Sequence, residues 1–263
     1  MAVRSSRRST PPRESPEERA HRAKQIVEIL RHLYPDPQVP LRHGSPFQLL
    51  VATILSARCT DEMVNRVTPH LFARFPTPEA LARADPREIE RIIRPTGFYR
   101  QKARAIQAMS RVLVEAFGGA VPPRMEDLVR LPGVGRKTAN VLFSAAQIEK
   151  WPGWPHTPGA GGSGIVVDTH VTRVSRRLNL TSNTDPEKIE QDLMALVPRE
   201  EWGPFALRLI YFGRQVCTAR APQCPACPLR DLCPSAPYRG APPWLRTAGA
   251  SGKATTRATG RRQ

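Results

Sequence analysis

The hydrophobic positions of the chain recur with the three- and four-residue spacing of amphipathic helices. The clearest stripe, opposite Arg and Glu, contains Ile26, Val27, Ile29, Leu30 and Leu33. Residues 46–55 are almost all apolar and predict a helix buried in the centre of the fold. Pro and Gly separate the helical segments, and we find no strand-like alternation. The pattern predicts an all-α protein with helices at 16–34, 46–55, 61–75, 78–84, 86–93, 99–117, 125–130, 137–146, 169–178, 186–197 and 204–214.

A glycine-containing turn joins two of these helices in the sequence LPGVGRKTAN, residues 131–140. Gly133 and Gly135 can adopt backbone angles closed to other residues, and they present no Cβ to an approaching molecule. The free N–H groups at the start of the following helix favour an anion such as a DNA phosphate. By itself, a Gly-x-Gly turn between helices is weak evidence for nucleic-acid binding.

Lys137 and Asp168 are candidate catalytic residues. Lys137 lies two residues after the second glycine, and its amine is a candidate nucleophile. A solvated surface lysine and a phosphate contact are the alternatives. Asp168 follows the apolar run 165–167 in the sequence VDTH and opens another helix. Helix capping is a sufficient reason for an aspartate there, although a capping carboxylate at a domain edge can also face a cleft.

The charge of the chain favours a polyanionic partner. The formal net charge is +17 and the pI is about 10.9, which on charge alone leaves DNA, RNA and anionic membrane open. No run of eighteen apolar residues exists, so we expect no membrane span. About half of the net charge lies in residues 1–16 and 235–263, which are poor in apolar residues. We expect both segments to be disordered basic tails that tether DNA, with a transit peptide or nuclear signal as the alternative for the first.

Four of the five cysteines are crowded near the C-terminus, as Cys217-x6-Cys224-x2-Cys227-x5-Cys233. This spacing indicates a metal site in a reducing compartment rather than a set of disulfides. Structural zinc usually takes two close Cys pairs, whereas only one Cys-x-x-Cys occurs here. Four thiolates in so short a segment fit a [4Fe-4S] cubane better. Cys59 lies far away in sequence and is interpreted as an ordinary buried thiol.

LPGVGRKTAN, VDTH and the cysteine spacing together resemble the helix-hairpin-helix DNA glycosylases, and among them most closely the endonuclease III family. The resemblance runs from about residue 45 to 233. It implies a six-helix domain at 39–164, which includes the hairpin at 123–147, and a [4Fe-4S] cluster domain at 165–235. The N-terminal helix, residues 17–38, would pack with the cluster domain.

The family also implies an activity. Lys137 would be the nucleophile and Asp168 its assistant, facing each other across the cleft between the domains. The expected enzyme is a bifunctional DNA glycosylase/AP lyase of base excision repair. It would remove oxidised pyrimidines from duplex DNA and cut the strand by β-elimination through a lysine Schiff base. We expect a cytoplasmic, nucleoid-associated bacterial monomer without a signal peptide. The alternatives are a preference for alkylated or mismatched bases and a non-catalytic iron–sulfur DNA-binding protein.

Several residues are candidate DNA contacts by the same resemblance. Arg58 stands where the family usually has Gln, and Phe98 where it usually has Leu. Both would enter the gap left by an extruded base, with a phosphate contact for Arg58 and a core position for Phe98 as alternatives. The remaining candidates, at the backbone or the hairpin turn, are Arg100, Lys102, Gly133, Val134, Gly135 and Arg136.

Two segments depart from the family pattern. Arg220 carries the only charge between the first two cluster cysteines, where the family loop is usually more basic, so we expect a weaker DNA contact there. Residues 148–164 are rich in Pro, Trp and Gly and replace a much shorter family connection. We predict an inserted, mobile loop, in which His156 is exposed to solvent.

Overall fold

The computed structural model describes residues 14–156 and 159–236. In these ranges the regular structure is entirely helical, which confirms the predicted all-α fold. None of the described helices is both long and apolar enough to cross a bilayer. The predicted disordered tails lie outside the described residues, apart from their inner ends. The α-helices are α1 (Pro16–Leu33), α2 (Pro46–Leu55), α3 (Asp61–Arg74), α4 (Pro78–Arg83), α5 (Pro86–Ile93), α6 (Tyr99–Phe117), α7 (Met125–Leu128), α8 (Arg136–Glu149), α9 (Thr169–Arg177), α10 (Pro186–Leu196) and α11 (Trp202–Gln215).

Local capping explains why most helix starts could be predicted. Before α2, α4, α5 and α10, a Ser, Thr or Asp side chain accepts a first-turn N–H, and proline follows it. A capping box between Ser15 and Glu18 begins α1. Glu14 pairs with Arg22 at 2.6 Å, so the tail predicted to reach residue 16 is already ordered at residue 14. α11 begins two residues before Pro204, since proline is tolerated in the first turn of a helix.

Two hydrophobic cores organise the described residues. The first contains α2 at its centre, where Leu49, Leu50 and Val51 are fully buried, and it extends to Trp154. The second is formed by α1 and residues from Ile165 onward. α1 is brought there by contacts with α10 and α11, far away in sequence. α8 packs against α2 on one side and α11 on the other, so the helix that begins next to the Gly-x-Gly turn lies between the two cores.

The segment predicted to be a mobile insertion is anchored in the first core. Trp151 and Trp154 are buried and lie edge to face, with ring centroids 5.4 Å apart. Trp154 also contacts Phe143 of α8 at 5.4 Å. The expectation of a mobile loop is therefore wrong for this part of the insertion, because burial of large indole rings outweighs the effect of the neighbouring prolines and glycines. His156 is exposed, as predicted.

Candidate active site

The Gly-x-Gly turn leaves the start of α8 open to an approaching ligand. Gly133 has φ +79°, a left-handed angle that favours glycine, and a Cβ there would lie 3.1 Å from the Ala105 Cβ. Gly135 is the N-cap of α8, and no side chain caps this helix. Both glycines are exposed. The turn therefore presents backbone N–H groups to solvent at the positive end of a helix dipole.

Val134, predicted to contact DNA, is instead part of the support of the turn. Its side chain is buried, and its N–H donates to the Leu131 carbonyl at 3.0 Å. The prediction for Val134 is wrong because the central residue of this turn points into the core while the flanking glycines face outward.

Lys137 and Asp168 differ sharply in their surroundings. Lys137 is exposed in the first turn of α8 and has neither a hydrogen bond nor an ion pair within the described residues. Asp168 is half-buried, and its Oδ1 accepts the Val171 N–H at 2.8 Å as the N-cap of α9. Asp168 thus has the capping role that its position in the sequence predicted. Oδ1 of Asp168 is used in capping α9, so Oδ2 is the oxygen available for catalysis.

The surroundings of Asp168 include His170. Burial lowers the pKa of His170, and Arg173 and Arg214 lower it further, while the charge of Asp168 opposes them. Nη2 of Arg173 lies 3.2 Å from Nδ1 of His170 and donates to the Gly213 carbonyl at 2.8 Å. A neutral imidazole can accept a hydrogen bond from Arg173.

A buried carboxylate ties the start of α8 to the segment that leads into Asp168. Nε and Nη2 of Arg136 donate to Glu190 of α10 at 2.7 and 2.9 Å. Asn140 donates to the same carboxylate at 2.9 Å and accepts the Gly164 N–H at 3.0 Å. The Arg136 guanidinium is therefore held by α10, although its side chain remains 39% exposed, and the DNA contact of Arg136 stays a prediction. The sequence analysis did not identify Glu190. The feature that could have indicated it is an acidic residue next to Ile189, on the buried side of α10.

Arg58 and Phe98 meet at the surface of the first core. Both have left-handed backbone angles, φ 53° and φ 49°, which are uncommon for residues with side chains. The Arg58 guanidinium carbon lies 5.7 Å from the centroid of the Phe98 ring. Phe98 is 60% exposed, so the alternative that it belongs to the core is wrong. A cavity of about 510 Å³ extends from this pair to the hairpin, with walls that include Arg58, Phe98, Lys102, Gly133 and Thr138.

The two predicted backbone clamps on α6 differ. Arg100 is exposed, 5.6 Å from the Tyr99 ring centroid and at the 4.0 Å limit of an ion pair with Glu90, and it remains a predicted phosphate contact. Lys102 is buried, and its Nζ donates to the carbonyls of Leu55 and Thr96, each at 2.7 Å. The clamp prediction for Lys102 is wrong, since the side chain enters the protein. Its burial lowers its pKa.

The four clustered cysteines surround a cavity of about 150 Å³, whose lining also includes Arg177, Phe212 and Val216. Across the described residues, no group of three His, Cys, Asp or Glu is arranged to hold a single metal ion. A cubane carries its irons at separate corners, so a thiol-lined cavity fits [4Fe-4S] better than one tetrahedral zinc. Burial raises the pKa of Cys227 to about 11 and also raises that of Cys233. The cationic irons would offset this cost by stabilising the thiolates of Cys217, Cys224, Cys227 and Cys233.

Arg177 supports the first cysteine loop and was missed by sequence reasoning. Its guanidinium donates to Cys217 Sγ at 3.3 Å, to the Thr218 carbonyl at 2.7 Å and to the Ala219 carbonyl at 2.9 Å. The loop that these bonds hold presents Arg220, which is exposed. Arg220 therefore remains the predicted DNA contact of this loop.

Comparisons with known proteins agree with this geometry. Residues 51–199 match the HhH-GPD superfamily base excision DNA repair protein model, and residues 217–233 match the iron-sulfur binding domain of endonuclease III. The second match begins at Cys217 and ends at Cys233. Endonuclease III of Synechocystis sp. is 53% identical over 82% of this chain and 93% of its own length. That of Escherichia coli is 38% identical over 80% and 93%.

Solved structures show the same relationship. A non-covalent endonuclease III–DNA complex is similar with TM-score 0.74 and 39% identity, over 84% of this chain and 97% of that chain. A trapped endonuclease III–DNA covalent intermediate has the same TM-score and identity, over 84% and 98%. The predicted family and the predicted [4Fe-4S] cofactor are confirmed. The chain belongs to the endonuclease III family, the iron–sulfur DNA glycosylase/AP lyases of base excision repair.

Proposed function

We propose that this enzyme removes oxidised pyrimidines from duplex DNA and then cuts the strand by β-elimination, with Lys137 as nucleophile and Asp168 as its assistant. The observation that carries the proposal is the state of Lys137. It is exposed at the head of α8 with no partner among the described residues, while Arg136 and Asn140 on either side of it are held by Glu190. An amine with this freedom on a fixed helix suits attack on a docked sugar.

The reaction would proceed in two stages. The damaged nucleotide is extruded from the duplex, and Lys137 Nζ attacks C1′ of its deoxyribose as the base leaves. The sugar ring opens to a Schiff base, and loss of a C2′ proton then expels the 3′ phosphate. Asp168 would accept the proton that Lys137 loses, or stabilise positive charge that develops on the sugar.

The DNA would lie across the hairpin and the Arg58–Phe98 pair. Backbone N–H groups at Gly133 and Gly135 would hold phosphates, and Arg100 and Arg220 would add charged contacts. Arg58 and Phe98 would fill the gap left by the extruded nucleotide, where a ring can stack and a guanidinium can donate to a base edge. We propose a monomer that acts at the nucleoid in the bacterial cytoplasm, because its substrate is there and its net charge of +17 favours sequence-independent association.

The test uses duplexes that each contain one defined lesion: an oxidised pyrimidine, an alkylated base, a mismatch or an abasic site. Base release, strand cleavage and borohydride trapping are measured for the wild type and for Lys137→Met. We expect the wild type to release the oxidised pyrimidine and to be trapped, and Lys137→Met to do neither. The control is Lys150→Met, which removes an exposed lysine from the other end of α8.

Two results would contradict the proposal. Trapping by Lys137→Met would exclude this lysine as the nucleophile, since the imine requires its amine. Faster release of an alkylated or mismatched base than of any oxidised pyrimidine would assign another lesion class to the enzyme.

A further inference from the structure

Lys102 lies beneath the two turns that present Arg58 and Phe98. It is 5% exposed, and it extends from α6 to reach two backbone carbonyls. One belongs to Leu55, the last residue of α2, and the other to Thr96, in the short 3-10 segment before Phe98; both are 2.7 Å from Nζ. These carbonyls precede Arg58 by three residues and Phe98 by two. A single ammonium group therefore holds the backbone segments that lead into both turns.

Both turns need such support because their backbones are strained. A left-handed angle at a residue other than glycine is unfavourable and persists only where the surroundings hold it. No side chain caps α6 at Phe98. The Thr96 hydroxyl donates to the Ile93 carbonyl at 2.8 Å and stiffens the same turn from within. Lys102 joins the backbone of this turn to that of the turn at Arg58 through the Thr96 and Leu55 carbonyls.

The chemistry of Lys102 also indicates a positioning role. Burying an ammonium is costly, and an apolar side chain of similar length would fill the same space. The cost of burying the ammonium is offset only if its N–H donors form hydrogen bonds that an apolar side chain could not form. Here they connect two segments that are far apart in sequence and that border the same 510 Å³ cavity. On these two segments, the Arg58 guanidinium carbon lies 5.7 Å from the Phe98 ring centroid.

We propose that Lys102 is a positioning residue for recognition of the base opposite the lesion, holding Arg58 and Phe98 at the spacing with which they enter the duplex. The inference rests on the proposed function, since it assumes that a nucleotide is extruded beside this pair. Lys102 itself touches neither DNA nor the reacting atoms.

The experiment measures single-turnover excision of one oxidised pyrimidine opposite each of the four bases. The readout is the ratio of the fastest to the slowest rate, for the wild type and for Lys102→Met. We expect the ratio to fall by about fivefold or more, the low end of the discrimination that a bidentate base contact provides. Cleavage of a preformed abasic site, which needs no excision, should fall less. Lys102→Gln keeps two N–H donors but ends one bond short, so we expect an intermediate ratio.

The matched control is Arg111→Met, which removes a positive charge from an exposed position on the same helix and should keep the wild-type ratio. Loss of folding would depress every rate together and would leave the ratio unchanged, so a folding defect is distinguishable. An unchanged ratio in a folded Lys102 variant, or a wild type with no opposite-base dependence, would overturn the inference. Failure of the proposed function would appear separately, as absence of borohydride trapping by the wild type.

Discussion

Arg136 and Glu190 form a bidentate ion pair between α8 and α10, with N–O distances of 2.7 and 2.9 Å. The carboxylate is almost fully buried, whereas the guanidinium side chain is 39% exposed. The pair raises the pKa of Arg136 through the hydrogen bond to Glu190. Since Arg136 immediately precedes Lys137, the contact holds the proposed nucleophile in place relative to the second core.

We therefore expect Glu190→Gln to lower the free energy of unfolding by about 1.5–3 kcal/mol, the range for hydrogen bonds to charged groups. The lower half of that range is expected because Arg136 is partly solvated. Borohydride trapping should also slow, since the start of α8 is less firmly held. Thermal unfolding and single-turnover trapping measure the two effects. Glu115→Gln, which removes an exposed carboxylate from α6, is the control, and equal behaviour of both variants would contradict a role for the pair.

The two proposed roles of Asp168 can be separated by substitution. Asp168→Asn keeps an oxygen that can accept the Val171 N–H but removes the charge, so we expect stability to be retained and trapping to fall about 10²–10⁴-fold. Asp168→Ala should lose activity equally and, in addition, about 0.5–2 kcal/mol of stability. Thermal melting and trapping rates test this pattern.

Asp185 provides the matched control, because it caps α10 with a comparable geometry, accepting from Glu187 and Lys188 at 3.1 and 3.0 Å. Asp185→Ala should lose a similar amount of stability and keep its activity. If Asp168→Asn cleaved DNA at the wild-type rate, Asp168 would be a helix cap only.

The cluster prediction compares two cysteines. Cys227→Ser should lose the visible absorption of thiolate-bound iron and much of its soluble yield, because one of the four ligands is gone. Cys59→Ser should keep both, since Cys59 packs against the first core. Iron content per chain and the visible spectrum of protein purified without air provide the measurement. Zinc in place of iron in the wild type would refute the assignment.

Arg58 is the residue expected to recognise the base opposite the lesion. If its guanidinium enters the duplex, it can donate to O6 and N7 of a guanine opposite the lesion, whereas adenine presents an N–H beside N7. A bidentate contact of this kind discriminates by roughly 1–3 kcal/mol, so excision opposite guanine should exceed that opposite adenine by about tenfold. Arg58→Gln should remove this preference in single-turnover assays.

A simple phosphate contact would behave differently. Arg58→Gln would then weaken binding to all substrates alike and lower the salt dependence by about one ion. An opposite-base pattern unchanged by the substitution would exclude entry into the duplex.

Much of this protein follows from local sequence. Helix starts depend on a capping side chain and the proline after it, and these interactions span only a few residues, as at Ser45 before α2 and Asp185 before α10. The glycine turn and the cysteine spacing are equally local, because their function requires particular residue types at short intervals. They were sufficient to predict the all-α fold, the family and the cluster.

The tertiary structure decided which charged side chains are available to DNA. In the sequence, Arg136 and Lys102 are both free cations. In the structure, each is held by partners far along the chain: Glu190 holds Arg136, and the carbonyls of Leu55 and Thr96 hold Lys102. A charged residue shows no local sign of such a partner, because the pairing depends on how helices cross. Residue type and spacing determined what chemistry the chain can perform, whereas packing determined which charges remain free to perform it.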